Sequence, residues 1–435
     1  MRAVAGAAVT SALVLSLAAC TDGEADADPP SSPPASSAET TPPERPEPDR
    51  VIVGHATRPQ LDLTARVAKR IIEGRIASFR GHPVAVGLRA VRRDPDAIAV
   101  VPLHRVGPSV VAARVGGVDP VRDAPGAVDV TLTGDIMLVR GVPDPAESLA
   151  PMSKLLRRAD LTVGNLESTL SLNGEPTQGG DSFGGTPALL RPLEKAGFDA
   201  LSLANNHAGD YGSVALVETV QRMARSPIVP FGAGATLREA SRPAVLEVGD
   251  TSFAFVGFNA IGETPQAVPG EPGALSVRMP PRTGPELSQD DLDHVLGIIR
   301  RADRRGEVVV ALPHWGDQYT HTPEPIQRVV SRQLVAAGAD LVVGGHPHWV
   351  QGMDDVRGVP VIHSLGNFVF DMDFSEPALE GVVMETTWWG KQLKAFRLVP
   401  YAMEIGPFVP RVVDGDRAAD ILGDVWGAST GPYAD

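Results

Sequence analysis

Residues 128–141 read VDVTLTGDIMLVRG: an apolar, strand-like run that stops at Asp135 and opens into a polar loop. The same junction recurs down the chain. LTVGN (161–165) runs up to Glu167, DALSLAN (199–205) to Asn206 and His207, EVVVALP (307–313) to His314, and DLVVGG (340–345) to His346 and His348. Between these runs lie amphipathic stretches with helical spacing: ESLAPMSKLLRRA (147–159), VALVETVQRMA (214–224), LDHVLGIIRRADRR (292–305) and IQRVVSRQLVAAG (326–338). Strand and helix alternating in this way predict an α/β fold. In such sheets ligands collect beyond the carboxyl ends of the strands, where each of these polar residues falls.

Working outward, the composition bounds what the chain does. Its 435 residues, 43% hydrophobic and 21% charged, suffice for one large core and a small second unit. A formal net charge of -14 without a long Lys/Arg cluster argues against nucleic acid as a partner. A polyanionic substrate would also be repelled at long range, so its capture would depend on local features such as a metal or an isolated arginine.

One cysteine, Cys20, rules out an internal disulfide framework. Arg2, the apolar residues 3–19 and the small residues Ala18 and Ala19 before Cys20 resemble the bacterial lipobox. This implies lipidation of Cys20, a membrane partner and an extracytoplasmic, lipid-anchored location. A plain secretory signal and a short membrane-spanning helix are the alternatives; the run is short for a span of about 20 residues. Residues 21–50 are rich in Pro, Ser, Thr and acid and read as a disordered tether after the 1–20 signal. Residues 51–126 carry short β-rich runs around LTARVAKRIIEGRIASF (63–79) and predict a small α/β domain. His55, His82 and His104 are scattered singly there and form no ligand cluster. Residues 127–375 are the main domain, and 376–435 are expected to complete it with a hairpin turning at 389–391 and a closing helix.

The donors at the strand ends, carboxylate, amide oxygen and imidazole, suit one or two divalent ions such as Mn, Fe or Zn better than an all-oxygen calcium cage. No cysteine lies nearby for a thiolate zinc site. Two ions about 3.5–4 Å apart would need a bridging carboxylate, for which Glu167 is the choice. Taken singly each piece has a plain reading, Gly134-Asp135 as an ordinary turn for example; their order along the chain is what speaks for a site.

The successive segments GDIMLVRG (134–141), VGNLESTLS (163–171), LANNHAGDYG (203–212), PHWGDQY (313–319), GGHPHWVQG (344–352) and HSLGNFVFD (363–371) resemble the motifs of the CapA family, named for poly-γ-glutamate capsule synthesis. The resemblance implies a metallophosphoesterase-like α/β sandwich of two sheets flanked by helices, in the calcineurin-like superfamily. By position, Asp135 and His348 would ligate a first metal, Glu167 would bridge, and Asn206, His314 and His346 would hold a second. His207, oriented by Asp210, would be the general acid of a two-metal displacement. Arg140 would clamp a phosphate or carboxylate or else form a plain salt bridge, and Trp315 and Tyr319 would wall the pocket or belong to the core. The chain departs from the pattern at Met137, where phosphoesterases usually place a histidine, at Gln318 in place of a glutamate, and at His363, read as a buried histidine.

Two functions from different classes follow. One is a metal-dependent hydrolase or transferase acting on a cell-surface polymer or a phosphoester. The other is a non-catalytic accessory lipoprotein that holds or exports an anionic polymer beside a polymer synthase complex.

Overall fold

The computed structural model describes residues 50–434, so the expected signal, lipidated Cys20 and nearly all of the tether lie outside the described residues. The described residues form one compact unit. The segment 51–126 therefore builds its own sheet without being a separate body.

That small sheet is ordered Ser78–Phe79, His82–Val86, Ile98–Pro102, Arg50–His55, Val110–Ala112. Its helix, Ala65–Ile72, is capped by the Thr64 hydroxyl, which accepts from the Val67 amide at 3.4 Å, and it buries Ala68 and Ile71. Within the amphipathic stretch 63–79 the helix spans the residues at helical spacing and ends at Ile72, where Gly74 follows with φ +70°, which ends a helix at little steric cost. Val53, Val101 and Ala112 form one core with Trp389 and Ala395 of the main domain, and the Trp389 indole donates to the Val121 carbonyl at 3.0 Å.

The main domain is built on two large sheets. The first runs Val229–Phe231, Ala200–Ser202, Leu161–Leu166, Ala127–Ile136, Glu380–Trp389, Gln392–Glu404, Val409–Val412, with Asn367–Val369 paired to the end of Ala127–Ile136. The second runs Ala244–Val248, Thr251–Asn259, Val308–His314, Leu341–Val343, Val359–Ile362, Met353–Val356. Alternation along the central strand of the second sheet shows the layering. Val308, Val310 and Leu312 face the first sheet's Val130, Leu132 and Val163, whereas Val309 and Ala311 face Leu292, Val295, Val330 and Leu334. The latter four belong to the helices Gln289–Arg304 and Pro325–Ala336. On the outer face of the first sheet, Leu156, Leu193 and Leu216 from short helices and from Gly212–Met223 cover Ile136 and Leu166. The result is the expected sandwich of two sheets flanked by helices.

Two local outcomes refine the sequence reading. Residues 147–159 form two short helices, Pro145–Leu149 and Ser153–Leu156, rather than one; Pro151 lacks the amide that a continuous helix needs at that turn. The hairpin Glu380–Trp389 and Gln392–Glu404 turns at Gly390, with φ +52°. The closing helix Gly415–Gly427 buries Ile421, Val425 and Trp426 in the core between the sheets.

Candidate metal centre

The parallel strands of both sheets deliver their carboxyl ends to one place. Asp135 closes the strand Ala127–Ile136, and its amide donates to the Gly366 carbonyl at 3.1 Å. Gly134 is required at this crossing, since a Cβ there would sit 1.9 Å from that carbonyl oxygen. Asp135, Glu167 and His314 bring ligand atoms within 4.8 Å of one another, all three buried. His314 Nε2 lies 2.9 Å from Asn206 Oδ1 and 3.5 Å from Glu167 Oε1. The His346 amide donates to Asp135 Oδ2 at 2.9 Å, and His348 Nδ1 lies 3.9 Å from the same oxygen. The rings of His314 and His346 are 5.0 Å apart, those of His346 and His348 5.6 Å. All six residues expected to bind metal therefore stand together.

The donor set fits a cation. Both ring nitrogens of His346 and Glu167 Oε2 are buried without a hydrogen-bond partner. Orphaned polar atoms of this kind cost about 1–3 kcal/mol each and are rare unless something else satisfies them. Burial, then the Asp135 charge, pushes the Glu167 carboxyl well above the ordinary carboxylate range, and burial raises Asp135 as well. Burial, then the neighbouring His348, holds His314 well below the ordinary histidine range; burial does the same to His346, and His348 is lowered to about 4. Neutral imidazoles beside crowded carboxylates are ready ligands for a divalent ion.

Beside this cluster, His207 Nδ1 is 2.8 Å from Asp210 Oδ2. Asp210 is completely buried and also accepts from the Phe183 amide at 2.7 Å and from Gln178 Nε2. Phe183 stacks on the His207 ring with centroids 3.7 Å apart, and the Arg140 guanidinium lies over the Phe183 ring, 4.3 Å from its centroid. Arg140 forms an ion pair with Asp371 and lies 3.7 Å from Asp181, so it is a salt-bridged residue near the site. Tyr319 sits at the rim, 36% exposed, its ring stacked 6.1 Å from that of His348.

Trp315 corrects the sequence reading. It does not wall the site: it is fully buried in the core between the second sheet and its helices, edge-on to Phe258, with its indole donating to the His363 carbonyl at 3.0 Å. Met137 is likewise buried in the outer core of the first sheet and offers no histidine-like ligand. His363 is held by Asp354 at 2.9 Å, as a buried, paired histidine.

Three contributors escaped the sequence reading. Asn165 Nδ2 lies 2.9 Å from Asp135, 3.1 Å from Glu167 and 3.3 Å from His314, at the middle of the cluster. Asn367 Oδ1 holds His348 Nδ1 at 2.8 Å. Glu263 accepts from Asn206 Nδ2 at 2.7 Å, which turns the Asn206 oxygen toward His314. The two asparagines stand inside VGNLES and SLGN, so their motif position was a usable signal; nothing in the loop around Glu263 marked it. Backbone strain does mark it. Eight described non-glycine residues have φ between +49° and +93°, and five of them, Arg140, Glu263, Tyr319, His346 and His348, surround this site.

Comparison with known proteins identifies relatives of the chain. A family profile described as "Bacterial capsule synthesis protein PGA_cap" matches residues 129–372, more than half of the chain. The chain is 29% identical over 304 residues to a capsule biosynthesis protein CapA of Bacillus anthracis, covering 65% of this chain and 71% of that one. It is 28% identical over 258 residues to a PGA biosynthesis protein CapA of Bacillus subtilis, covering 57% and 64%. It is also 28% identical over 307 residues to a "probable polyglutamine synthesis accessory protein" of Mycobacterium tuberculosis, covering 64% and 76%.

Proposed function

The chain belongs to the bacterial capsule synthesis protein family PGA_cap, and from that premise we propose that it is a metal-dependent hydrolase or transferase acting on a cell-surface polymer or a phosphoester. The observation that carries the reading is the convergence of Asp135, Glu167, Asn206, His314, His346 and His348 on one buried spot, where His346 and Glu167 hold atoms without partners.

A divalent ion bound there supplies Lewis-acid polarisation of an ester or acyl oxygen and activation of water. The chain's own residues do the rest. Asp210 fixes the His207 ring through Nδ1, which leaves Nε2 to carry the proton given to the leaving oxygen. Glu263 and Asn165 orient the amide and carboxylate ligands, and Arg140 and Tyr319 stand where an anionic group would approach.

The accessory reading is supported by Met137, which fills with core packing a position where phosphoesterases usually place a ligand. Our proposal further includes a lipid on Cys20, an extracytoplasmic location and work beside a polymer synthase. Metabolic labelling with a palmitate analogue, which Cys20→Ser should abolish, tests the lipid.

The deciding experiment is metal analysis of the full chain beside the Asn206→Ala, His346→Ala double variant, each assayed on a phosphodiester and on poly-γ-glutamate. Bound transition metal and turnover that vanish together in the variant uphold the enzyme. Absence of metal after anaerobic supplementation with Mn, Fe and Zn overturns it, and metal without turnover leaves the accessory role.

A further inference from the structure

The net charge of -14 is not spread evenly, and one face runs against it. A cleft of about 380 Å³ between the small sheet and the main domain is lined by Arg58, Arg114, Arg122 and Arg397, against Asp119 and Glu385. A second groove, about 620 Å³, adjoins it and shares Arg397; its other charged residues are Lys154, Arg157 and Arg158, and no carboxylate lines it. Together the two carry seven cations and two carboxylates.

At the junction sits Glu385, with a side chain only 6% exposed. The guanidiniums of Arg158 and Arg397 reach its carboxylate directly and that of Arg122 lies 3.6 Å away. Three guanidiniums present about fifteen N–H donors, whereas one carboxylate accepts at roughly four sites. Arg122 spends one donor on Asp129 at 2.6 Å, and Arg397 spends Nε on Glu385 at 2.8 Å, so most of the donors remain for another anion. The pairing of Arg114 with Asp62 is loose, at 3.8 Å, with a partner more than two-thirds exposed. Lys154 and Arg157 make no ion pair among the described residues.

The strip is distant from the metal centre. Arg122 binds Asp129 near the amino end of the strand Ala127–Ile136, whereas Asp135 stands at its carboxyl end. Six residues of strand separate them by about 20 Å.

We propose that these two adjoining clefts form a holding site for an extended polyanion, separate from the metal centre. Guanidinium forks match carboxylate and phosphate groups, and a row of them spaced along two linked concavities suits a chain with a repeating charge. A flat bilayer cannot enter a concave cleft, so the geometry favours a polymer over a membrane surface. The site also answers the long-range repulsion: the global charge opposes a polyanion, and this local field is where one would be retained. The proposal does not depend on the metal reading.

The test uses the full chain and fluorescence anisotropy of end-labelled polyglutamate long enough to span both clefts, with triglutamate and linear polyphosphate as further arms. Polyglutamate and polyphosphate distinguish carboxylate from phosphate recognition, and the short oligomer should bind much more weakly than either. Two double variants, Lys154→Glu with Arg157→Glu and Arg58→Glu with Arg114→Glu, should each weaken binding by about tenfold or more at low salt. A control with the same charge change, Arg301→Glu with Arg332→Glu on the helices behind the second sheet, should stay within about twofold. Chelation of metal should leave binding unchanged, and its loss on chelation would assign the polymer to the metal centre instead. Unchanged affinity in both cleft variants, an equal loss in the control, or preferential binding of phosphatidylglycerol vesicles would overturn the proposal. Unaltered metal content and thermal midpoint in the variants show that folding is not what changed.

Discussion

Replacing His346 by leucine should change stability in opposite directions with and without metal. Both ring nitrogens of His346 are buried and unpartnered, and the residue is completely inaccessible to solvent. In the metal-free protein each such atom costs about 1–3 kcal/mol, so the pair costs about 2–6 kcal/mol. Leucine is similar in volume and is not branched at Cβ, although histidine takes a φ near +93° more readily; repacking should cost less than about 1.5 kcal/mol. The metal-free variant is therefore expected to be more stable than the metal-free wild type by about 0.5–4.5 kcal/mol. At roughly 2–4 °C per kcal/mol for a domain of this order, that is a rise of several degrees in Tm. Saturating metal reverses the order over most of that range. An ion at a thousand times its Kd stabilises the wild type by about 4.1 kcal/mol, and the variant, short of a ligand, gains much less. The assay is thermal unfolding of both proteins in chelator and in a titration of Mn or Zn. A leucine variant destabilised equally under the two conditions would refute the argument, since His346 would then be a packing residue with unseen partners.

Glu263→Ala should free the Asn206 amide and weaken metal retention by about tenfold, within the range for residues that orient ligands, while Glu263→Gln, which still accepts a hydrogen bond, should lose less; competitive chelation reads both. Asp354→Asn should cost about 3–5 kcal/mol at neutral pH, because it strips a nearly buried carboxylate from Arg328, His363 and Thr430. Burial alone would raise the Asp354 carboxyl, but His363, Thr430 and Arg328 hold it below its ordinary value. A depressed carboxylate contributes stability above its unfolded value near 3.9 and loses it as pH falls through the folded value, so the wild type should lose stability in that acid range and the asparagine variant should lose less, as followed by urea unfolding at stepped pH. Trp315→Phe should cost about 1–3 kcal/mol by orphaning the His363 carbonyl, with metal content unchanged; a loss of metal would return Trp315 to the site.

The features legible in the sequence were those written in short-range periodicity. Unbroken apolar runs such as 308–312 mark strands covered on both faces, and a polar residue after each run marks where a site is assembled, which is why Asp135, Glu167 and the four site histidines could be named. Trp315 was misread because neighbours at a strand end point to opposite faces: His314 enters the site and Trp315 the core behind it. The split of residues 147–159 was foreshadowed by Pro151, whose missing amide weighs more than the apolar periodicity around it. Glu263 was beyond reach. It meets Asn206 from 57 residues away, through a loop whose left-handed backbone no local pattern announced. The basic strip was hidden for a related reason: only Lys154, Arg157 and Arg158 fall together in the sequence, and the other four cations are scattered from Arg58 to Arg397.

The order of strands in the first sheet has a consequence for a chain that emerges amino end first. Ala127–Ile136 lies between Leu161–Leu166, close behind it, and Glu380–Trp389, about 240 residues later. Until that late strand arrives, a chain that has already docked its early strands shows an unpaired edge bearing Val128, Val130 and Leu132, open to pairing with another chain. The metal ligands, from Asp135 to His348, all precede it, so the site's residues are present before the sheet that carries Asp135 is closed.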